Sequence, residues 1–310
     1  MQPNFITYQS AIDQLTWPEA VQALRSGHDL PRADIGDIFL GPDHGTMLNR
    51  AAHIDGLGYG MKSVTVFSGN AALGVPTVQG AMLVFDPVAG QLQAIIESRL
   101  VTEFKTAADS VLGANLLARP DSKHLVIVGG GTVARSLIKA YSATMPRLSK
   151  ISVWARRIEQ AEELAQEFDG LQLSVGVAPN LERACGHADI ISTATMAREP
   201  ILKGDWVQPG THVDLIGAFK ANMREADDRL ISKGSLFVDS RETTIGHIGE
   251  IMMPIEAGII DESAIRGDLY DLIAHGSPVR QSADEVTIFK NGGGAHLDLM
   301  MASYIQNAVA

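Results

Sequence analysis

The fold of this chain is decided by the stretch Leu125-Val126-Ile127-Val128-Gly129-Gly130-Gly131-Thr132-Val133-Ala134. Its opening run is apolar and mostly β-branched, which is typical of a strand buried on both faces of a sheet. The small residues that follow match the pattern G-x-G-x-x-A at Gly129, Gly131 and Ala134. In this pattern the first glycine permits a tight turn, the second lets a pyrophosphate approach the backbone, and the alanine lets the next helix pack closely. A helix that begins at Thr132 and Val133 also offers free N–H groups and a positive dipole end to phosphates. The stretch therefore predicts a site for a nicotinamide or flavin dinucleotide.

The composition limits the class of protein. The 310 residues are 45% hydrophobic and 20% charged, enough apolar material for one large domain or two of ordinary size. The net charge of −11 argues against a general nucleic-acid-binding or anionic-membrane surface. Cys185 is the single cysteine, which excludes an internal disulfide framework and fits a reducing compartment. The first residues do not resemble a secretory signal and no apolar run reaches the ~18 residues of a membrane span, so we expect a cytoplasmic protein. Together with the net charge, this predicts that the protein binds neither nucleic acid nor membranes.

Two kinds of pattern divide the chain. Short β-rich runs over 46–52, 58–67, 77–85 and 92–96 predict a mainly antiparallel sheet, accompanied by helices over 8–26 and 101–118. After residue 124 strands and helices alternate, with strands that include 151–155 and 171–175, and this alternation predicts a parallel sheet covered on both faces.

The sequence thus predicts an α/β protein with two domains. Residues 121–292 form a Rossmann-type doubly wound parallel sheet. Residues 1–120 form an α+β domain, onto which the final segment, 293–310, folds back as a helix. A strand after residue 285 is expected to end the parallel sheet.

The end of the second parallel strand indicates which nucleotide is bound. When NAD is the cofactor, an acidic residue about twenty positions beyond the glycines accepts hydrogen bonds from the ribose. This position carries Arg156 and Arg157 instead. Since guanidinium groups pair bidentately with phosphate, we expect NADPH to be preferred through its 2′-phosphate, with NADH as an alternative. The plainer interpretation is a solvated arginine pair at the start of a helix.

Besides the glycine loop, further motifs occur along most of the chain. They read Gly60-Met61-Lys62-Ser63-Val64, Pro76-Thr77-Val78-Gln79-Gly80, Thr102-Glu103-Phe104-Lys105-Thr106-Ala107-Ala108, Ala188-Asp189-Ile190-Ile191-Ser192-Thr193-Ala194-Thr195 and Ile288-Phe289-Lys290-Asn291. In this order, from about residue 20 to the end, they resemble the ornithine cyclodeaminase/mu-crystallin family, which includes cyclic-imine (ketimine) reductases. The resemblance implies that the α+β domain binds the substrate and forms a homodimer.

The resemblance also implies roles for single residues. Lys62 is similar to the family's active-site lysine beside the substrate carboxylate and nitrogen, and Arg32 to its first carboxylate-binding arginine. Lys105 stands where the family usually has arginine, so the charge is kept but the two-pronged grip is lost. Besides the glycine loop and the two arginines, the residues implied in nucleotide binding are Thr193, Ala194, Thr195, Ile216 and Asn291.

A second departure from the family concerns the choice of reaction. Ornithine cyclodeaminases carry an aspartate after a Gly-Gly or Gly-Ala pair at a strand end, and here Gly217-Ala218 is followed by Phe219. A phenyl ring cannot bind an amine or shuttle a proton, which disfavours cyclisation with loss of ammonia. The sequence is closer to reductases that transfer one hydride to a ready-made C=N bond.

The resemblance therefore implies NAD(P)H-dependent reduction of a small imino acid, Δ1-pyrroline-2-carboxylate or Δ1-piperideine-2-carboxylate, to L-proline or L-pipecolate. One alternative is an open-chain imino-acid reductase or amino-acid dehydrogenase, in which Arg50, Arg99 or Lys105 would serve a second carboxylate. The others are an ornithine cyclodeaminase and a non-catalytic NADPH- and ligand-binding protein, a role that mu-crystallin shows the scaffold can take. The scattered histidines, His44, His53 and His296, lack metal-ligand spacing, so no metal is expected.

Overall fold

The computed structural model describes residues 2–42, 44–276 and 279–309. The chain forms two compact units, one of residues 1–108 with 294–310 and one of residues 109–293. The first unit is a mixed sheet with helices, and the second is a parallel sheet covered by helices. The predicted α/β class, with a Rossmann-type sheet and a separate α+β part, is confirmed.

The first boundary between the units differs from the expected position after residue 120. It lies inside the helix α3 (Ser98–Leu117). In the first half of this helix Phe104 stacks on Trp17, with ring centroids 4.4 Å apart. In the second half a Cβ placed on Gly113 would lie 2.6 Å from the Phe289 ring. The expected boundary follows the proline at the end of this helix. The sequence pattern does not show that the two halves of one helix pack in different units.

The first unit is built on six strands. They are β1 (Asn4–Ile6), β2 (Asp34–Leu40), β3 (Thr46–Ile54), β4 (Gly58–Val66), β5 (Val78–Phe85) and β6 (Leu92–Glu97). Their order in the sheet is β1-β6-β5-β4-β3-β2, and neighbours are antiparallel except β1 and β6, which are parallel. The mainly antiparallel sheet is confirmed, but the sequence pattern does not show β1, because three residues are too few to display a period.

Helices complete the first unit. They are α1 (Tyr8–Ala11), α2 (Trp17–His28), the first half of α3, and α11 (Ala295–Ala308). Two glycines let α11 approach closely: a Cβ on Gly27 of α2 would lie 2.4 Å from Met300, and a Cβ on Gly60 of β4 would lie 2.8 Å from Leu299. The even-numbered residues of β4 therefore face α11, since side chains alternate along a strand.

The second unit is an eight-stranded parallel sheet. Its strands are β7 (His124–Val128), β8 (Lys150–Trp154), β9 (Ser174–Val177), β10 (Ile190–Thr193), β11 (His212–Leu215), β12 (Ser235–Val238), β13 (Ile265–Gly267) and β14 (Thr287–Lys290). The order is β13-β12-β14-β11-β10-β7-β8-β9. Its helices are α4 (Thr132–Thr144), α5 (Ile158–Glu167), α6 (Leu181–Cys185), α7 (Asp228–Lys233), α8 (Arg241–Thr244), α9 (Gly249–Glu256) and α10 (Leu269–Ala274).

One strand prediction needs correction. The strand expected over 171–175 lies at Ser174–Val177, because the Leu171 N–H bonds to the Phe168 carbonyl in a turn and pairing with β8 begins only at Ser174. The strand expected after residue 285 is β14, the last strand in sequence, and the sequence pattern does not show its place in the sheet. This strand inserts between β11 and β12, where Ile288 and Phe289 are fully buried.

The strand order locates the ligand-binding edge of the second unit. From β7 the chain adds β8 and β9 on one side, and it then returns to add β10 and β11 on the other. In open parallel sheets ligands bind outside the carboxyl ends of the strands at such a switch point. The glycine loop follows β7, directly at this point.

Candidate active site

The glycine loop has the geometry that a dinucleotide requires. Gly129 has a φ of +140°, and a Cβ there would lie 2.5 Å from the Ala194 carbonyl oxygen. At Gly131 an added Cβ would meet none of the described atoms within 4 Å, so the backbone is open to a ligand. Gly131 is also the N-cap of α4, where no side chain of the described residues provides a capping hydrogen bond. These features fit a pyrophosphate at the N-terminus of α4.

The second glycine of the loop has a role that its pattern does not show. A Cβ on Gly130 would lie 2.7 Å from Gln160 Cβ and 3.1 Å from Ala155 Cβ. Gly130 is thus required by packing against the segment that follows β8, whereas the G-x-G-x-x-A pattern treats its position as free. Ala134 is fully buried against the sheet, as its place in the pattern predicts.

Arg156 and Arg157 lie at the same edge of the sheet. β8 pairs with β7 up to Trp154, and the Gly129 N–H donates to the Trp154 carbonyl at 2.8 Å. Both arginines follow immediately and are exposed, with Arg157 at the N-cap of α5. The fold therefore brings two cationic side chains to the strand end next to the glycine loop.

One buried carboxylate joins the ends of β10 and β11. Glu225 Oε2 accepts hydrogen bonds from Thr193 Oγ1 at 2.7 Å and from the Gly217 N–H at 2.6 Å. Glu225 Oε1 accepts from the Thr195 N–H at 2.8 Å and from Thr195 Oγ1 at 2.7 Å. The hydroxyls of both threonines thus bond to Glu225, and their predicted contacts with a nucleotide stay a prediction.

A second layer of buried charges supports Glu225. Glu250 accepts the N–H groups of Glu225 at 2.8 Å and Ala226 at 2.9 Å, and burial raises the pKa of Glu250 to about 7. Lys290 Nζ donates to the carbonyls of Leu215 and Asn291 at 2.8 and 2.9 Å. Burial lowers the pKa of Lys290 below its ordinary value, against the attraction of the surrounding carboxylates.

Asn291 lies in a hydrogen-bonded chain at the end of β14. Its Nδ2 donates to Ser110 Oγ at 2.9 Å, and Ser110 donates to Asp214 at 3.0 Å. Ser192 donates to the other oxygen of Asp214 at 2.5 Å, and burial raises the pKa of Asp214 to about 7. The Ile216 N–H bonds to the Thr193 carbonyl at 3.0 Å. Asn291 and Ile216 share the carboxyl edge with the glycine loop, and their predicted contacts with a nucleotide stay a prediction.

In the first unit the central feature is a buried ion pair. Lys62 lies on β4 and Asp298 in the first turns of α11, 236 residues apart in the chain. Lys62 Nζ is 2.7 Å from each oxygen of the Asp298 carboxylate. The side chains are 7% and 0% exposed. Lys62, the residue predicted as catalytic, is therefore paired at a buried position with a carboxylate that the sequence patterns do not point to.

Further cations act on this pair. Lys105 of α3 is buried, and Arg50 of β3 lies opposite Lys62 in the strand register, with its guanidinium 2.8 Å from Asp37. Burial lowers the pKa of Lys62, as do Lys105 and Arg50, whereas Asp298 raises it. Burial would raise the pKa of Asp298, but Lys62, Lys105 and Arg50 lower it below its ordinary value.

The structure brings two of the three predicted substrate-binding residues together. Lys62 and Lys105 interact electrostatically, whereas Arg32 is exposed on the segment between α2 and β2. His296 packs edge-on against His28 at 5.7 Å between ring centroids, and burial lowers the pKa of His296 to about 3, so the ring is neutral near pH 7.

A cavity of about 370 Å³ lies on the other face of the sheet. Its lining includes Met61, Tyr59 and Phe85. Since Met61 and Lys62 are consecutive on β4, their side chains point to opposite faces. The cavity is therefore separate from the Lys62–Asp298 pair.

The residues missed in the sequence leave a weak signal. Asp298 stands in the run Leu297-Asp298-Leu299-Met300-Met301, and Lys290 follows Ile288-Phe289. A single charge in an apolar run that must be buried calls for a partner or a function. The pattern marks such a residue, but it cannot identify the partner.

The described residues give two further negative findings. Within 2–42, 44–276 and 279–309 no group of His, Cys, Asp and Glu is placed to hold a metal ion. No helix of this part of the chain is long and apolar enough to cross a bilayer.

Cys185 is buried, and burial raises the pKa of its thiol to about 12, so Cys185 is a core residue without thiolate reactivity.

The parallel sheet, the switch point and the open glycine loop define a Rossmann-type dinucleotide-binding protein. The chain belongs to the ornithine cyclodeaminase/mu-crystallin family, whose model matches residues 44–310. It is 62% identical to the Δ1-pyrroline-2-carboxylate reductase of Paracoccus denitrificans (strain Pd 1222) over 308 residues, which cover 99% of this chain and 98% of that protein.

Solved structures match the whole chain as well. The Δ1-pyrroline-2-carboxylate reductase of Thermococcus litoralis, in complex with NADH and L-proline, superposes with a TM-score of 0.91 at 26% identity, covering 98% of this chain and 97% of the other. An archaeal alanine dehydrogenase dimer with bound NAD superposes with a TM-score of 0.91 at 27% identity, covering 99% and 96%. The family resemblance drawn from the motifs is confirmed.

Proposed function

We propose that this protein reduces the C=N bond of a small cyclic imino acid, Δ1-pyrroline-2-carboxylate or Δ1-piperideine-2-carboxylate, to L-proline or L-pipecolate. The observation that carries the proposal is the buried Lys62–Asp298 pair, on which Lys105 and Arg50 act electrostatically. The 62% identity to the Paracoccus denitrificans reductase and the fold match to a reductase holding NADH and L-proline support the same reaction.

The contacts of two arginines favour a substrate with one carboxylate. Arg50 is already 2.8 Å from Asp37. The exposed Arg99 has its guanidinium carbon 4.0 Å above the Tyr8 ring. These engagements disfavour Arg50 and Arg99 as ligands for a second substrate carboxylate.

Phe219 favours reduction over cyclodeamination. It follows the end of β11 at the carboxyl edge of the sheet, with half of its surface exposed. The Lys220 Nζ lies 5.6 Å from the centroid of its ring. A phenyl ring offers no oxygen to hold a substrate ammonium or to accept its proton.

The chain's own residues have three tasks in this reaction. Lys62 and Lys105, together with Arg32, bind the substrate carboxylate and fix its orientation, which supplies much of the catalysis in a partly dry site. The Lys62 ammonium donates a proton to the imine nitrogen. The burial of Lys62 limits its contact with water, which strengthens both interactions. When bound, a nicotinamide nucleotide supplies the hydride for the imine carbon.

We infer that the nucleotide is held by the glycine loop, Gly129, Gly131, Thr132, Val133 and Ala134, and by the segment Thr193-Ala194-Thr195 with Ile216 and Asn291. The two exposed arginines after β8 support a preference for NADPH. One matching structure holds NADH and the other holds NAD, so both support a nicotinamide dinucleotide as the cofactor.

We also propose a homodimer formed by the first unit. β2 is an edge strand, and its residues Ile38, Phe39 and Leu40 are 58%, 65% and 54% exposed. An edge strand with exposed apolar side chains is a template for pairing unless another chain covers it. The cavity over Met61 and Tyr59 is also lined by Ile35 of the same edge strand.

The test of the proposed function follows NADPH absorbance with the purified protein. Separate assays contain Δ1-pyrroline-2-carboxylate, Δ1-piperideine-2-carboxylate, and pyruvate with ammonia, and ammonium release is measured from L-ornithine. Oxidation with a cyclic imine and no ammonium from ornithine is the expected result. Oxidation only with pyruvate and ammonia would show an open-chain amino-acid dehydrogenase instead.

The substitution Lys62→Met tests the mechanism. We expect kcat/KM for the imine to fall by about 10²- to 10⁴-fold, the range for losing a positioned proton donor. Nucleotide affinity, measured by fluorescence titration, should stay unchanged. Lys139→Met removes an exposed lysine of α4 and serves as the matched control. Undiminished turnover in Lys62→Met would contradict the role of Lys62.

A further inference from the structure

Asp298 is the carboxylate that faces Lys62 inside the first unit. Both residues are buried, and the ammonium contacts both carboxylate oxygens at 2.7 Å. The Asp298 N–H bonds to the Gly294 carbonyl at 3.3 Å, so the carboxylate projects from the first turn of α11, whose closing hydrogen bond fixes its position.

The other groups around Lys62 are either positively charged, which disfavours its ammonium form, or uncharged. Lys105 from α3 and Arg50 from β3 repel a second cation. Met82 of β5 lies opposite Lys62 in the strand register and is apolar. His296 of α11 is neutral near pH 7, and His28 of α2 packs against it. Without Asp298, burial and these cations would all favour a neutral amine at position 62.

We propose that Asp298 is a positioning residue for the reaction: it keeps Lys62 in the ammonium form and directs its remaining N–H bonds to the substrate. The inference rests on the proposed function, because it assigns the ammonium of Lys62 the tasks of binding the carboxylate and donating the proton. A lysine ammonium has three donors, so a bond to Asp298 leaves others for the imino acid.

The chemistry requires this protonation state. When the imine nitrogen is protonated, an N–H bond breaks at Lys62 Nζ and another forms at the ring nitrogen. The neutral amine then recovers a proton from water before the next turnover. Asp298 lowers the free energy of the charged form at each stage, because opposite charges in a buried site attract strongly.

The test compares the pH profiles of kcat/KM for the wild-type protein and Asp298→Asn. Loss of an opposite charge within contact distance shifts a pKa by about 1–3 units. We expect the alkaline limb of the profile to move to lower pH by this amount, with activity partly recovered as the pH is lowered. A purely structural role would reduce activity by the same factor at every pH, and an unmoved limb would overturn the proposal.

A second measurement separates this inference from the proposed function. The pKa of Lys62 is followed directly by NMR of lysine labelled at the ε-carbon, with the signal assigned by its absence in Lys62→Arg. Asp298→Asn should lower the Lys62 pKa whether or not an imine is reduced. An unchanged Lys62 pKa would overturn the inference. A lowered pKa in a protein that turns over no imine would leave the inference standing and remove the proposed function.

Two controls keep the result interpretable. Glu19→Gln removes a carboxylate that bonds to Tyr304 in the same unit and is absent from the groups acting on Lys62. Its pH profile should match the wild type. The double variant Lys62→Met with Asp298→Asn removes both charges. If Asp298→Asn is unstable because it leaves an unpaired buried cation, the double variant should regain part of the lost thermal stability.

Discussion

At Lys62 and Asp298 a pair of opposite charges is removed from water. Breaking such a pair by removing one partner costs about 3–5 kcal/mol, although an apolar pair of the same shape is often no less stable. The pair is therefore weak support for the fold. In the proposed reaction its value lies in the chemistry, because it holds an ammonium group at a buried position.

We propose that single residues also decide between the two nicotinamide nucleotides. Arg156 and Arg157 are exposed beside the glycine loop, and the 2′-phosphate is the group that distinguishes NADPH from NADH. In Arg156→Ala with Arg157→Ala we expect NADPH affinity to fall by about 10- to 100-fold, since hydrogen bonds to charged groups contribute about 1.5–3 kcal/mol. NADH affinity should change little.

Equilibrium fluorescence titration with each nucleotide measures this difference. Arg183→Ala, which removes an exposed arginine of α6, is the matched control. Equal weakening of both nucleotides would assign the arginines to the common part of the cofactor, and unchanged binding would leave them as a solvated pair.

At the scale of elements, Glu225 connects the carboxyl ends of β10 and β11. Its two oxygens accept four hydrogen bonds from Thr193, Thr195 and Gly217, and a Cβ on Gly217 would lie 2.0 Å from the Thr195 carbonyl. The two loops are thus held in contact at the edge where the nucleotide is predicted to bind.

Glu225→Gln tests this arrangement. The amide keeps the size of the side chain but presents donors where the structure already has donors, so at least one buried N–H loses its acceptor at a cost of about 1–3 kcal/mol. We expect affinities for NADPH and NADH to fall together by about tenfold, with their ratio unchanged. Glu182→Gln on the exposed side of α6 is the control. A changed ratio of the two affinities would contradict the proposal that Glu225 positions the two loops for nucleotide binding. Unaltered binding with reduced thermal stability alone would contradict it as well.

At the scale of the whole molecule, the exposed apolar edge of the first unit predicts association. Phe39→Asp places a charge on β2 at a position that is 65% exposed, so the monomer should still fold. We expect sedimentation velocity to show a dimer for the wild type and a shift toward monomer for Phe39→Asp. Val88→Asp changes a residue that is 93% exposed in the turn between β5 and β6, and it should remain dimeric. A monomeric wild type would refute the homodimer.

Local patterns account for most of the fold. The strand before Gly129 is apolar from Leu125 to Val128, and Gly129, Gly131 and Ala134 occupy the three small positions of one local motif, so the sequence alone identifies them. The strand predicted over 171–175 was wrong because leucines in a turn mimic a strand, and the position of β14 inside the sheet depends on pairing with β11 and β12.

The sequence by itself determined the class of fold, the glycine loop and the family, and it named Lys62 as the candidate active-site lysine. These rest on residue spacing within single segments and on motifs in a fixed order along the chain. Only the tertiary structure decided that Asp298 pairs with Lys62 and that Glu225 joins two strand ends. Lys62 and Asp298 are 236 residues apart, and a hydrogen bond between distant segments leaves no periodicity in either of them. Burial makes such contacts strong and specific, but the partner is chosen by how the chain packs.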